Sequence, residues 1–180
     1  MRKGNSEPAQ VQKLEMLMNS LNLECSARRT VPAALTAAEV TGGPATAIEL
    51  NNGTVVTGKT SDLLGASSAA LLNALKSLAN IDDSVELILP KALTPIQNLK
   101  TQHFGSRNPR LHTDEVLIAL AISAADNPEA ALALEKLDEL KGCQVHSSVI
   151  LSSVDENVFK KLGANLTSEP VYQNRRLYHK

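Results

Sequence analysis

The apolar positions of this chain fall into alternating helical and strand-like periods. Residues 8–22 place Val11, Leu14, Met18 and Leu21 on one helix face, and Ser6 and Pro8 mark the start. Residues 1–7 read as a frayed lead-in. An Ala- and Thr-rich stretch, 24–43, contains Pro32 and closes on Gly42-Gly43-Pro44, so it reads as a linker holding a short helix around 33–39. Two strand-like runs follow, Ala45–Leu50 and Thr54–Gly58, separated by Asn51-Asn52-Gly53. Asn-Gly tolerates the positive φ that a tight hairpin demands. Residues 62–79 are apolar nearly all round, with Leu63, Leu64, Leu71, Leu72, Leu75 and Leu78, which predicts a deeply buried helix.

Beyond it, Val85–Leu89 reads as a central strand stopped by Pro90, and 91–100 as a helix with Pro95 near its first turn. A polar loop, 101–112, leads to a helix over 113–125. Thr113 is its expected cap, and Asp114 and Glu115 suit the positive end of its dipole. Asn127-Pro128 opens another helix that ends before Gly142, and Gln144–Leu151 reads as a strand. Ser153-Val154-Asp155-Glu156 has the form of a capping box, starting a short helix that ends at Gly163. A last strand around Ala164–Thr167 precedes the basic tail Arg175-Arg176-Leu177-Tyr178-His179-Lys180. Strands alternating with helices imply an α/β fold, and the hairpin makes the sheet mixed: a three-layer mixed sheet flanked by helices, with a short N-terminal helical element. The expected organisation is an N-terminal helix and linker over 1–43, the α/β unit over 44–170, and the basic tail over 171–180.

Composition narrows the functional classes. Eighteen Lys and Arg against 19 Asp and Glu give a net charge of -1, which argues against a dedicated nucleic-acid or membrane-surface binder. Two Phe, two Tyr and no Trp leave few platforms for stacking bases and make the core aliphatic. No apolar run follows Met1-Arg2-Lys3, and no stretch has the length of a membrane span. Cys25 and Cys143 are too far apart in sequence for a metal-type pair and read as reduced, packed thiols, so the expected location is the cytoplasm.

The sharpest motif is Gly53-Thr54-Val55-Val56-Thr57-Gly58-Lys59-Thr60, which satisfies the phosphate-loop pattern. That loop needs flexible backbone between a strand and a helix. Val55-Val56 instead favours a strand, and Gly53 is the expected hairpin residue, so the hairpin reading is preferred. Lys59, Thr60 and Ser61 would still precede a helix start, where anions are attracted. Gly65-Ala66-Ser67-Ser68 faintly resembles a nucleophile elbow but lies inside a helical run, where small side chains serve close packing. The loop with His103, Arg107, Asn108, Arg110 and His112 is dense in groups that grip a carboxylate or phosphate; the alternative is ion pairing with neighbouring helices. His146 sits on a strand and reads as structural. His103, His112 and His146 match no zinc spacing, so no metal site is expected.

Three strings carry a resemblance: Thr57 to Ser68, Asn108 to Leu120, and Val154-Asp155-Glu156-Asn157. Through them the chain resembles the C-terminal portion of the bacterial domain-of-unknown-function family numbered eighteen forty-six. The resemblance implies that the chain corresponds to the C-terminal part of longer proteins, and it brings no activity with it. The element order is also similar to the cytidine-deaminase-like fold, yet the His or Cys followed by Glu and the Pro-Cys-x-x-Cys of zinc deaminases have no counterpart at Ser61-Asp62-Leu63 or after Pro90.

The residues therefore point to a ligand-facing domain that binds a small anionic group, phosphate or carboxylate. Arg107 and Arg110 would bind it bidentately, Lys59 and Lys91 would add charge, and Thr60 or Ser61 would donate hydrogen bonds. His112 is the candidate acid or base, because its ordinary pKa lies near neutrality. The cofactor is unknown. Expected partners are the small anion and either further copies of the chain or a preceding N-terminal region. The rival reading is a structural or oligomerisation module without a ligand.

Overall fold

The structure, a computed structural model, describes residues 8–173. The predicted lead-in at 1–7 and the basic residues Arg175–Lys180 lie outside the described residues. Helix α1 (Pro8–Ser20) leads to α2 (Thr30–Thr41), which is longer than the short helix expected there and lies against the sheet. The hairpin forms as β1 (Ala45–Glu49) and β2 (Val55–Lys59), and Gly53 takes φ 84 in its turn. Hence the Gly53–Thr60 string is a β-hairpin arm, not a loop free to wrap a phosphate.

Helix α3 (Ala66–Leu78) follows β2, and then come α4 (Pro90–Asn98), α5 (Thr113–Ser123) and α6 (Pro128–Leu134). Strand β3 (Gln144–Ser147), helix α7 (Ser153–Lys161) and strand β4 (Asn165–Ser168) complete the order. The sheet runs β2-β1-β3-β4, with β1 antiparallel to both neighbours and β3 parallel to β4. The chain is thus an α/β protein with a mixed four-stranded sheet flanked by helices.

One predicted strand is absent. Val85–Leu89 is irregular and enters no sheet. Its apolar side chains are still used: Leu87 and Ile88 are buried in the core at 3% and 8% exposure. A short apolar run satisfies burial equally well as a pinned loop, and here Asn127 Nδ2 reaches the carbonyls of Glu86 and Leu87 at 3.5 and 3.4 Å. The deaminase-like element order therefore has one strand fewer between the hairpin and β3.

Alternation along the strands sorts the two faces. Ile48, Val145 and Leu166 face the core built by α3, α5, α6 and α7, where Leu71, Leu75, Leu120 and Phe159 meet. Ala45, Ala47 and Glu49 face the other way, toward α2, whose Val31 and Ala34 are buried there. Gly58 explains how α3 lies so close to β2. A Cβ on Gly58 would stand 2.0 Å from the Ala70 backbone nitrogen, so the hydrogen-only side chain is what lets helix and strand touch. The start of α3 is thereby fixed at one end of the sheet.

Candidate functional site

Three segments converge where α3 begins. Leu64 and Leu111 pair as an isolated parallel bridge. The Leu111 amide donates to Leu63 O at 2.9 Å, and the Gly65 amide donates to Leu111 O at 3.2 Å. This brings Arg110 and His112, which precede α5, beside the first turn of α3. Gly65 is the N-cap of α3, in extended conformation, and no side chain caps the helix. Its leading N–H groups have no partner inside the helix and carry the positive end of its dipole.

A cavity of about 50 Å³ opens at this junction, its polar lining made by Thr60, Ser67, Asn108, Arg110, His112, Asp155 and Gln173 beside neighbouring apolar groups. At about 30 Å³ per water, that is room for roughly two waters or one small polar head group. The buried Ser67 Oγ lies 3.3 Å from Thr46 Oγ1, and Ser68 Oγ donates to Leu111 O at 2.9 Å. Both hydroxyls therefore tie α3 to its surroundings.

Arg110 Nε donates to Ser61 O at 2.6 Å, which holds the guanidinium at the rim. Behind it, the buried Lys100 ammonium donates to Arg110 O and to Glu115 Oε2, each at 2.7 Å. The same Glu115 oxygen accepts the His112 amide at 2.8 Å. Lys100 thus fixes the backbone on both sides of Leu111 while neutralising the carboxylate at the start of α5.

The ionisable pair at the site joins α5 to α7. Ser152 is the N-cap of α7, its Oγ accepting the Asp155 amide, so the cap falls one residue earlier than the predicted Ser153. That register turns Asp155 inward. Its Oδ1 accepts the Thr113 amide and hydroxyl, each at 3.0 Å. Its Oδ2 accepts the Ser152 hydroxyl at 2.7 Å and lies 3.0 Å from His112 Nδ1. With Nδ1 directed at the carboxylate, Nε2 is the ring nitrogen left to face a ligand.

The hydrogen bond to Asp155 raises the His112 pKa above its ordinary value, outweighing burial, which lowers it. Burial pushes the Asp155 carboxyl up, but the hydrogen bond and charge of His112, with the Thr113 amide and Ser152, hold it below the usual carboxylate range. When His112 is protonated it offsets the charge of Asp155 in the cavity wall, and Arg110 and the start of α3 then supply the remaining positive potential.

The other expected residues are placed differently. Because α3 starts at Ala66, Lys59, Thr60 and Ser61 do not sit at its N-terminus; four residues of turn intervene. Thr60 still lines the cavity, while its hydroxyl donates to Pro44 O at 3.2 Å. Lys59 pairs with Ala45 across the hairpin and so shares the face that α2 covers, away from Arg110. The Ser61 hydroxyl accepts the amides of Leu63 and Leu64 and is spent on the turn. Arg107, His103 and Lys91 are exposed and do not line the cavity. The convergence is therefore Thr60, Asn108, Arg110 and His112, joined by Asp155, which the sequence assigned only to a capping box.

Elsewhere, His146 is buried at 3% exposure. Its Nδ1 lies 2.8 Å from Thr167 Oγ1, and its Nε2 lies 3.2 Å from Glu169 Oε1 without hydrogen-bonding geometry. Burial lowers its pKa, while Glu169 acts in the opposite sense. Cys143 is buried, as expected, whereas Cys25 is exposed. Among the described residues no cluster of three or more His, Cys, Asp or Glu could hold a metal ion, and no helix is long and apolar enough to cross a membrane.

Residues 26–178 match the family described as Domain of unknown function DUF1846, C-terminal. The chain is 56% identical over 168 residues to a UPF0371 protein of Corynebacterium glutamicum, covering 93% of this chain and 34% of that relative. It is 54% identical over 172 residues to a UPF0371 protein of Streptococcus pneumoniae, covering 96% of this chain and 35% of the relative. A UPF0371 protein of Streptococcus thermophilus is 54% identical over 170 residues, covering 94% and 34%. The chain spans about a third of the length of these curated relatives.

Proposed function

We propose, from the premise that this chain belongs to the family of DUF1846 C-terminal domains, that the cavity between α3 and α5 binds the phosphate or carboxylate group of a small ligand. The observation that carries this reading is the meeting, around one small cavity, of an uncapped helix start, the Arg110 guanidinium and the His112 imidazole. Each alone is ordinary; together they supply amide donors, a permanent positive charge and a proton that can be gained or lost. The cavity volume matches a head group rather than a whole nucleotide. Asp155 orients the imidazole, so Nε2 serves as proton donor or acceptor toward the bound group. Two thirds of the relatives' length lies outside this domain, so the remainder of a larger ligand would be held there.

Thermal unfolding in rising concentrations of inorganic phosphate or acetate tests the reading. A ligand at a hundred times its dissociation constant stabilises by about 2.7 kcal/mol, or roughly 5–10 °C for a chain of this size. Arg110→Ala should abolish that rise while Arg107→Ala leaves it intact. An unchanged melt, or equal effects of the two arginines, would remove the proposal. One observation favours the rival structural module: Ile118 and Ile122 on α5 are exposed at 58% and 65%. Self-association without any ligand response would select it. The near-neutral charge gives nucleic acid no basic footprint, and the two free thiols suit a reducing cytoplasm.

A further inference from the structure

Helix α1 is at odds with the rest of the molecule. None of its residues is buried. Leu14, Met16 and Leu17 are exposed at 61%, 67% and 50%, and Leu21 and Leu23 just beyond the helix at 64% and 49%. Leu14 and Leu17 lie on one face of the 13-residue helix, and Leu21, in the turn after it, continues their spacing as one apolar stripe. A lone helix shorter than about 12–15 residues is marginal in water and takes its stability from packing. Lys13 and Glu15 are its only charged residues and cancel, so a partner would meet it through apolar contact rather than charge.

Two findings say what covers it. The family match begins at residue 26, after α1 has ended, so α1 is not part of the C-terminal domain proper. Yet 172 of the 180 residues align with the pneumococcal relative at 54% identity, so nearly all of α1 is shared with a protein about three times longer. In a relative matched by its C-terminal domain, the additional chain lies on the N-terminal side, where α1 is. We infer that α1 is a docking helix whose leucine stripe seats in an apolar surface of the polypeptide that precedes this domain in the longer relatives. The inference is independent of the anion site, which lies on α3, α5 and α7.

Amide hydrogen exchange on this chain and on the full-length Corynebacterium glutamicum relative tests it. The α1 amides should exchange freely in this chain. The aligned helix of the relative should be slowed at least about 30-fold, the factor expected from one buried anchor side chain. Glutamates at the relative's two positions aligned with Leu14 and Leu17 should erase that protection, while Leu14→Glu with Leu17→Glu leaves the melting temperature of this chain unchanged. An unprotected helix in the relative would overturn the inference, as would protection that survives the glutamates. So would sedimentation of this chain as a dimer that the glutamates dissociate, because the occupant would then be a second copy.

Discussion

Replacing Asp155 by Asn isolates the charge that couples α5 to α7. The Asn carbonyl can still accept the Thr113 amide and hydroxyl, and its volume matches, so the loss falls on the Oδ2 contacts with His112 and the Ser152 hydroxyl, of which the His112 one carries the charge. A charge-assisted hydrogen bond of a buried carboxylate contributes about 1.5–3 kcal/mol. Asp155 has a 10% exposed side chain and His112 a 28% exposed one, so solvent screening is partial and about 2 kcal/mol is the expected loss. At about 2–4 °C per kcal/mol, that lowers the melting temperature by roughly 4–8 °C. The loss must depend on pH. The His112 pKa is raised on folding, so its contribution is complete below the imidazole's ordinary value and fades as pH rises through the raised one. The Asp155 pKa is lowered, so its contribution is present above the ordinary carboxylate value and fades as pH falls through the lowered one. Between about pH 4 and 6.5 both groups are charged and the pair is at full strength. Calorimetry of wild type and Asp155→Asn at pH 5.5 and 8.5 should therefore show the larger gap at pH 5.5, and a histidine NMR titration should show the His112 pKa fall. Equal gaps at the two pH values, with an unmoved imidazole, would refute the ion-pair reasoning and leave only neutral hydrogen bonds.

Gly58→Ala forces a methyl into the backbone of α3 at Ala70 and should destabilise by about 3 kcal/mol in urea unfolding, because a helix cannot move aside as a side chain can. Lys100→Met leaves Glu115 without its cation and Arg110 O without its donor. It should cost about 2 kcal/mol and weaken any phosphate-induced stabilisation, since the backbone on both sides of Leu111 loses its tether. Iodoacetamide should label Cys25 rapidly in the native chain and Cys143 only on unfolding, as followed by mass spectrometry; burial removes access to Cys143 and also raises its thiol pKa.

The hairpin and α5 were legible because local chemistry sets them: Asn-Gly for the turn, and acidic residues in the first turn of the helix. Lys59–Ser61 was misplaced because the apolar run over 62–79 suggested an early helix start. Tertiary contact decided otherwise: the Leu64–Leu111 bridge pulls residues 61–65 out of the helix. Asp155 was visible only as a capping residue. Its role at the cavity depends on a one-residue shift of cap, from Ser153 to Ser152, and on an imidazole 43 positions away in sequence. Periodicity cannot supply such a pairing. Composition singles out Arg107, Arg110 and His112 alike, yet Arg110 and His112 line the cavity while Arg107, three residues earlier, is exposed; nothing in composition says which side of a loop faces inward.

Leu111 gives and receives main-chain hydrogen bonds on either side of the turn that precedes α3, which makes the beginnings of two helices a single corner of the molecule. An anion bound there as proposed would meet main-chain groups that these hydrogen bonds already hold in place, so little ordering would oppose its capture.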